Sequence, residues 1–206
     1  EPNNIKNPYI YEMWQKNKFK LGEHITSIDA AFYIVPMVNA VQRSGTIEEK
    51  ELLFKSMLKY EAFEVIPSTK RGCKGQTERL VEQAVRMSTN VKNRQTRAQD
   101  ASMEYLENRI EKENMMDRKV LLFTLEPGKV DKNIAGLIAN KISAKYQRPS
   151  CMLTKVGDVY QGSARGYEMS GVTNFKDICD ETGCVNWTAG HQNAFGISIN
   201  ADKIEE

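Results

Sequence analysis

Apolar residues in the first half of the chain recur at helical spacing. The clearest case is the segment 77–116, where Ala84, Val91, Ala98 and Tyr105 fall seven residues apart. A stripe of this kind predicts one long amphipathic helix, roughly 50 Å long at ~1.5 Å per residue. The first half of the chain is therefore expected to be mainly helical.

Shorter elements are predicted upstream of this helix. Thr46 supplies a capping oxygen, and two glutamates follow in the first turn, so a helix is expected over about 46–59. The apolar stretch 27–41 contains Pro36, which has no backbone N–H to donate, and a turn or short helix break is expected there. Segment 67–75 lacks periodicity and is expected to be an exposed loop.

After residue 117 the pattern changes from helical to mixed. The apolar run 119–125 has the length of a buried strand, and Pro127 and Gly128 stop it. The remaining predicted elements are a helix at 131–146, strands at 151–156 and 159–164 joined by a Gly-Asp turn, a helix at 175–181 and a strand at 194–199. This order predicts an α/β fold, a small mixed β-sheet flanked by helices, preceded by a helical segment with one long connecting helix. We expect the division at 1–116 and 117–206.

Composition narrows the class of protein. With 206 residues, 40% of them hydrophobic, the chain can build a core. A formal net charge of +2 neither demands nor excludes a polyanionic partner, so a nucleic-acid site has to be local. No run approaches the ~18 apolar residues of a membrane span, and no signal-peptide pattern is present, which predicts a cytoplasmic protein without a membrane partner. The chain starts at Glu1 rather than methionine, which predicts a piece of a longer protein.

Two glycine-containing segments carry the candidate chemistry. Arg165 follows Gly162 and Ser163 at a strand end, where small neighbours let a ligand approach and the guanidinium offers a planar fork for phosphate. His191 follows Gly190, and its ring nitrogens can meet a phosphate oxygen or a leaving group. Each signal alone is weak, because such an arginine is more often a surface residue and a lone histidine is usually structural. A metal held by His191 and the other histidine is disfavoured, since no carboxylate cluster lies nearby in sequence.

Other side chains fit two interpretations each. Four arginines on the far side of the long helix suit either a phosphate backbone or a solvated polar face. They are Arg79, Arg86, Arg94 and Arg97. Three aromatic residues suit either base stacking or the core, namely Tyr160, Tyr167 and Trp187. The four cysteines show no Cys-x-x-Cys spacing and are interpreted as reduced thiols.

Taken together, the glycine-containing segments resemble a known family. Gly-Ser-x-Arg at 162–165, followed after a short helix by Gly-His-x-x-Ala-x-Gly at 190–196, resembles the signature of the domain associated with Asp-His-His (DHH) phosphoesterases. Segment 134–153 is similar to the helix and strand of that domain, which run through Tyr-x-Arg-Pro. Segment 34–43 is similar to the Ile-Ala-Pro-Arg-Leu-Asn-Ala-x-x-Arg segment of RecJ exonucleases. The resemblance extends over about 27–199.

The resemblance implies a division of labour within a longer enzyme. In the family a two-metal centre is built by Asp-x-Asp and Asp-His-His motifs of an amino-terminal domain, and neither motif occurs here. It therefore implies that manganese or magnesium is bound by residues before Glu1, and that this segment holds no metal, cofactor or catalytic residue and is inactive alone. The implied partners are single-stranded DNA, with RNA as the alternative, and the amino-terminal DHH domain of the same protein. The implied nucleic-acid contacts are Asn39, Arg43, Gly162, Ser163, Arg165, Gly190 and His191.

The sequence also departs from bacterial RecJ. Tyr33 and Met37 stand where arginines are common, and Ala189 replaces the first glycine of Gly-Gly-His, which favours a phage or mobile-element version. The leading prediction is the nucleic-acid-binding carboxy-terminal part of a RecJ-like exonuclease that hydrolyses single-stranded DNA from the 5-prime end. Two alternatives stay open: a phosphodiesterase of the same superfamily for oligoribonucleotides or cyclic dinucleotides, and a non-catalytic module that binds nucleic acid or a replication partner.

Overall fold

The longest periodic segment forms one helix, α5 (Leu80–Lys112). The structure is a computed structural model that describes residues 4–204. The chain divides into two compact units, residues 1–96 and 97–206, so α5 contributes one half to each. The functional division between residues 116 and 117 stays a prediction. In the described part of the chain, no helix is both long enough and apolar enough to cross a membrane.

Helices dominate the first unit. In chain order its elements are α1 (Pro8–Leu21), α2 (Ser27–Asp29), α3 (Val35–Ser44), α4 (Ile47–Met57) and the antiparallel strands β1 (Val65–Pro67) and β2 (Thr77–Arg79). The predicted start of α4 is confirmed, because the Thr46 side chain accepts from the Glu49 N–H while the Glu49 carboxylate accepts from the Thr46 N–H. The β1–β2 hairpin was not predicted, because strands of three residues are too short to show an alternating pattern.

The chain stays helical through Pro36. A π-helical turn, Ala30–Ile34, joins α2 to α3, and the proline lies in the first turn of α3. First-turn N–H groups have no acceptor within their own helix, so a residue that lacks one is tolerated there. The predicted turn or helix break is therefore wrong, and a local widening of the helix takes its place.

Three of the four arginines predicted to lie on one side of the long helix region are held by carboxylates of the first unit. Both Arg86 Nη atoms donate to the buried carboxylate of Glu78, at 2.5 and 2.6 Å, and this lowers the pKa of Glu78 to about 2. Arg94 donates to Glu49, and Arg79 to two glutamates of the same unit. These contacts favour a structural role for the three arginines over a phosphate-binding one.

The second unit contains a five-stranded mixed sheet. Its elements are β3 (Leu121–Leu125), α6 (Ala135–Tyr146), β4 (Ser150–Val156), β5 (Val159–Arg165), α7 (Phe175–Glu181), β6 (Val185–His191) and β7 (Ala194–Asn200). The strand order is β3-β4-β5-β7-β6, with β3 parallel to β4 and the other neighbours antiparallel. The sheet and its flanking helices confirm the predicted fold class.

Strand β6 was not among the elements predicted from the sequence. The residues of β6 are mostly small or polar, because it is an edge strand with much of its surface exposed. His191 therefore ends a strand. The predicted turn at Gly157 is confirmed, with a φ of 61° that glycine adopts without strain.

Candidate nucleic-acid interface

Three adjacent strands place Arg165 and His191 in one row. The antiparallel register pairs Arg165 on β5 with Ala194 on β7, and Ala194 with His191 on β6. Directly paired residues of antiparallel strands lie on the same face, so both side chains project from one surface. Two strand spacings put their Cα atoms roughly 10 Å apart.

The arginine and the histidine line the same open cavity. Its volume is about 730 Å³, in the range of small-ligand clefts. His191 is exposed and Arg165 is half-buried, so neither is sealed beneath apolar neighbours. The arrangement can therefore present a guanidinium and an imidazole to one ligand.

The floor beside this row is built from small residues. The next row across β5, β7 and β6 is Ser163, Gly196 and Ala189, and the row after it is Gln161, Ser198 and Trp187. The short side chains of the row Ser163, Gly196 and Ala189 let a ligand approach the sheet closely there. These three rows form one surface, the open face of the sheet.

Helix α6 forms one wall of the cavity and holds the arginine. The Arg165 Nη1 atom donates to the Ala164 carbonyl at 2.6 Å. The rest of the guanidinium lies against Gly136 of α6, where an added Cβ would come within 2.6 Å of Nη2. Glycine is thus required at residue 136 for the arginine to occupy this place.

The hairpin that carries His191 is fixed by a side chain that the sequence analysis did not single out. The amide of Asn193 donates to the Thr173 carbonyl at 3.1 Å and accepts from the Phe175 N–H at 3.2 Å. The backbone carbonyl of Asn193 accepts from the Gly166 N–H, directly after β5. Asn193 occupies one of the unspecified positions of the Gly-His-x-x-Ala motif, so the family pattern gives no signal for it.

A second link fixes the wall to the end of β5. The Ser143 hydroxyl on α6 donates to the Gly166 carbonyl at 3.1 Å. Ser143 and Asn140 face the cavity from the same helix. Ser143 could have been recognised from the sequence, because it is a polar residue on the otherwise apolar face of the predicted helix.

At two positions of the predicted site, the backbone leaves no room for a side chain larger than that of glycine. Gly190 has a φ of 137°, and a Cβ there would lie 2.7 Å from the Ala194 carbonyl oxygen. At Gly162 a Cβ would lie 1.7 Å from the Met152 carbonyl oxygen, so only glycine allows β4 and β5 to approach as they do. A contact of either glycine with a ligand stays a prediction.

The predicted phosphate-binding residues of the sheet fall into two neighbouring cavities. Arg165 and His191 line the first, whereas Gly162 and Ser163 line a second cavity of about 580 Å³. Trp187 also lines the second cavity. Arg165 and His191 belong to the first row of the open face. Gln161 and Trp187, which line the second cavity with Ser163 of the middle row, belong to the third row.

The remaining predicted residues lie in the first unit. Asn39 and Arg43 are exposed on α3, four residues apart and hence on one side of that helix. Their predicted role in lining the cleft stays a prediction.

Comparison with known proteins identifies the type of chain. No protein-family model matches it. YorK from the SPbeta prophage of Bacillus subtilis (strain 168) and yorK from Bacillus phage SPbeta are each 32% identical to it over 206 residues, 97% of this chain. Both are provisionally named as single-strand DNA-specific exonucleases. The chain spans about a third of the length of these relatives, 35% in each case.

Solved RecJ structures share the fold. RecJ from Thermus thermophilus in complex with Mg²⁺ matches 93% of this chain and 26% of its own, with a TM-score of 0.58 and 14% identity. A manganese-bound exonuclease RecJ matches 98% of this chain and 45% of its own, with a TM-score of 0.59 and 15% identity. The RecJ-like fold and the phage relatives confirm the predicted resemblance.

The described part of the chain presents no set of donors for a metal centre. Among residues 4–204, no group of three or more His, Cys, Asp and Glu side chains is placed to hold a metal ion. The two cavities offer instead the guanidinium of Arg165, the imidazole of His191, the ammonium of Lys132 and several hydroxyl and amide groups, beside the carboxylates of Asp131 and Glu168. All but the carboxylates can donate hydrogen bonds to oxyanions, which is chemistry for holding a phosphodiester.

Proposed function

We propose that this chain is the nucleic-acid-binding, carboxy-terminal part of a RecJ-type single-strand DNA exonuclease. The observation that carries the proposal is the single row of Arg165, Ala194 and His191 over an open cavity. The names of the phage and prophage relatives, single-strand DNA-specific exonucleases, support it. The amino-terminal DHH domain of the same protein would bind manganese or magnesium and supply metal-activated water for hydrolysis from the 5-prime end.

The residues of this chain hold the strand. The Arg165 guanidinium, whose Nη1 also donates to the Ala164 carbonyl, can donate to a phosphate oxygen, and the His191 imidazole can donate a second hydrogen bond to the same phosphate. Both side chains reach several ångströms from their Cα atoms, so a phosphodiester lying over Ala194 is within reach of both. The small floor lets the sugar-phosphate backbone lie close to the sheet, and the bonds made by Asn193 and Ser143 keep the two groups in place.

The open face favours a continuous strand over a dinucleotide. A site for short or cyclic dinucleotides would need to enclose both ends of its ligand. Here the open face continues from the row of Arg165 to the row of Trp187, past the first cavity and into the second.

Binding of single-stranded DNA tests the proposal directly. Fluorescence anisotropy with a labelled oligothymidylate should show binding that weakens as salt rises, because phosphate contacts release counterions. Arg165→Ala should weaken binding by about 1.5 to 3 kcal/mol and reduce the salt slope by about one. Arg165→Lys should keep the slope but lose part of the affinity, because a point charge replaces the fork.

Arg71→Ala is the matched control, since Arg71 is exposed in the loop between β1 and β2 of the other unit. Absence of binding by the unsubstituted chain, or equal effects of the two alanine substitutions, would overturn the proposal. The chain alone should not digest single strands with manganese present. Digestion would contradict the division of labour between the two parts of the protein.

A further inference from the structure

The structure distinguishes the three aromatic residues that the sequence left ambiguous. Tyr160 packs against the apolar core on the side of α7. Tyr167 is half-buried beside the first cavity, and its hydroxyl lies 3.7 Å from the Met169 sulfur. Trp187 is 45% exposed, and it lies on the open face.

The indole of Trp187 packs against the backbone of β7 at Gly196. The six-membered ring of its indole lies against Gly196, where an added Cβ would be 3.3 Å from Cζ3 and 3.6 Å from Cη2. Gly196 and Ala189 in the neighbouring row leave room for the ring to lie low on the sheet. The indole also lines the second cavity, and part of its surface is exposed to solvent.

Trp187 lies where single-stranded DNA bound at Arg165 and His191 can reach it. It precedes His191 by four residues on β6, which puts it ~13 Å along the same face at about 3.3 Å per residue. A few nucleotides of single strand bridge such a distance. A strand held by its phosphate at Arg165 and His191 therefore passes the indole if it follows the open face.

The surroundings of the indole combine polar and apolar groups. Its neighbours on the open face are small or polar, namely Gln161, Ser163, Ala189, Gly196 and Ser198. The rest of the lining of the second cavity adds the apolar residues Pro127, Val130, Met152 and Val156 and the charged residues Asp131 and Lys132. A nucleobase combines an apolar π-face with a polar edge, and the second cavity offers an indole together with the amide of Gln161 and the hydroxyl of Ser163.

We infer that the second cavity is a base-binding subsite in which a nucleobase stacks on Trp187. The base belongs to the same single strand, a few nucleotides away from the phosphodiester at Arg165 and His191. Because every base has a π-face, the subsite accepts any sequence. The inference rests on the proposed function, since the phosphate contacts place the strand.

Intrinsic fluorescence reports on this subsite. The chain has two tryptophans, and Trp14 is buried in the first unit, with its Nε1 donating to the Gly22 carbonyl. In a Trp14→Phe variant, an oligothymidylate should quench the remaining emission and saturate it at the concentration that saturates anisotropy. If that variant fails to fold, the difference between the native chain and Trp187→Phe gives the same signal.

Affinity measurements separate the base from the phosphate. Trp187→Ala should lower affinity for oligothymidylate about 10-fold or more and leave the salt slope unchanged, while Trp187→Phe restores most of the loss. On an abasic strand of equal length, Trp187→Ala should change nothing, whereas Arg165→Ala should still weaken binding. Tyr60→Ala is the control, because Tyr60 is an exposed aromatic of the other unit.

The outcomes distinguish the two proposals. If the chain binds single strands but the emission of Trp187 does not change, or if Trp187→Ala weakens abasic and normal strands equally, the base subsite is wrong and the proposed function stands. If the native chain binds neither strand, the proposed function itself fails. Quenching, together with an effect of Trp187→Ala on normal strands alone, supports the subsite.

Discussion

The two faces of the five-stranded sheet differ although they share the strands β5, β7 and β6. On the side of α7, alternate residues such as Phe195 and Ile197 are buried against Phe175 in an apolar core. On the other side, the residues between them are Ala194, Gly196 and other small or polar groups, and much of this open face meets solvent. The alternation along the strands thus puts core residues on one face and leaves the other face accessible to a ligand.

Residues of the core and residues of the open face should respond differently to substitution. Substitutions on the face toward α7 should act on folding first, and on binding only through loss of folded protein. Substitutions on the open face should act on binding at nearly constant stability, because exposed small residues contribute little to the core. The predictions that follow test this separation, from the largest expected effect to the smallest.

Phe195→Ala should have the largest effect. Phe195 is 3% exposed and packs against Phe175, with ring centroids 5.6 Å apart. Truncating a buried phenylalanine leaves a cavity and typically costs about 3 to 5 kcal/mol. Urea unfolding, followed by circular dichroism, should show this loss in the free energy of unfolding. A stability close to that of the native chain would show that the face toward α7 is not the core we describe.

Asn193→Ala should have the second-largest effect, because it should lower both the stability of the chain and its affinity for single strands. It leaves the Phe175 N–H and the Thr173 carbonyl without their bonds to the asparagine, and such a loss costs about 1 to 3 kcal/mol. The hairpin that carries His191 should also lose its fixed position, so single-strand affinity should fall under conditions where the variant is folded.

Asn186→Ala is the control for this substitution. Asn186 is exposed on β6 and bonds to the side chain of Asn200, so its loss should change stability by less than about 0.5 kcal/mol. If the two asparagine variants lose stability to the same extent, the bonds made by Asn193 are not what fixes the hairpin.

Much of the second unit could be predicted from the sequence, because its patterns are local. The strand β3 is a buried apolar run, the β4–β5 turn is a Gly-Asp pair, and α7 was predicted with its observed bounds. The edge strand β6 was missed because its exposed residues carry no apolar alternation. The strand that carries His191 was therefore not predicted, and the role of the histidine stays a prediction.

From the sequence, only those residues of the candidate site that belong to the family motifs could be named. Arg165 and His191 come from separate segments, and only the register through β7 brings them into one row. The roles of Gly136 and Asn193 depend on packing between elements distant in sequence, which no local pattern encodes. Trp187 could not be separated from a core aromatic, because the face to which a strand residue belongs is known only once the pairing is known.

Ala189→Glu should affect binding and spare stability. Ala189 is exposed in the middle row of the open face, between the rows of Arg165 and Trp187. A carboxylate there repels a phosphate backbone by about 1 kcal/mol at close range in water, so affinity for single strands should fall several-fold. The free energy of unfolding should change by no more than about 0.5 kcal/mol.

Ala189→Gln separates charge from bulk at the same position, since it has the size of glutamate without the charge. It should leave affinity closer to that of the native chain, and high salt should remove most of the difference between the two variants. Equal losses for glutamate and glutamine would show that bulk, and not the charge of a nearby phosphate, limits binding on the open face.

Thr188→Val should have the smallest effect, because it removes one exposed hydrogen bond on the side of α7. The Thr188 hydroxyl donates to the Asp180 carboxylate at 2.7 Å, and this bond, followed by one from Lys176, lowers the pKa of Asp180 below its ordinary value. A lowered carboxyl pKa stabilises the folded chain above the ordinary value of 3.8, and the contribution is lost as pH falls through the folded value. In Thr188→Val the pKa of Asp180, followed by carboxyl-carbon NMR, should therefore move up toward 3.8. Thr188→Ser keeps the hydroxyl and should keep the pKa low, so a rise in both variants would mean that packing of the threonine methyl, and not its hydrogen bond, links β6 to α7.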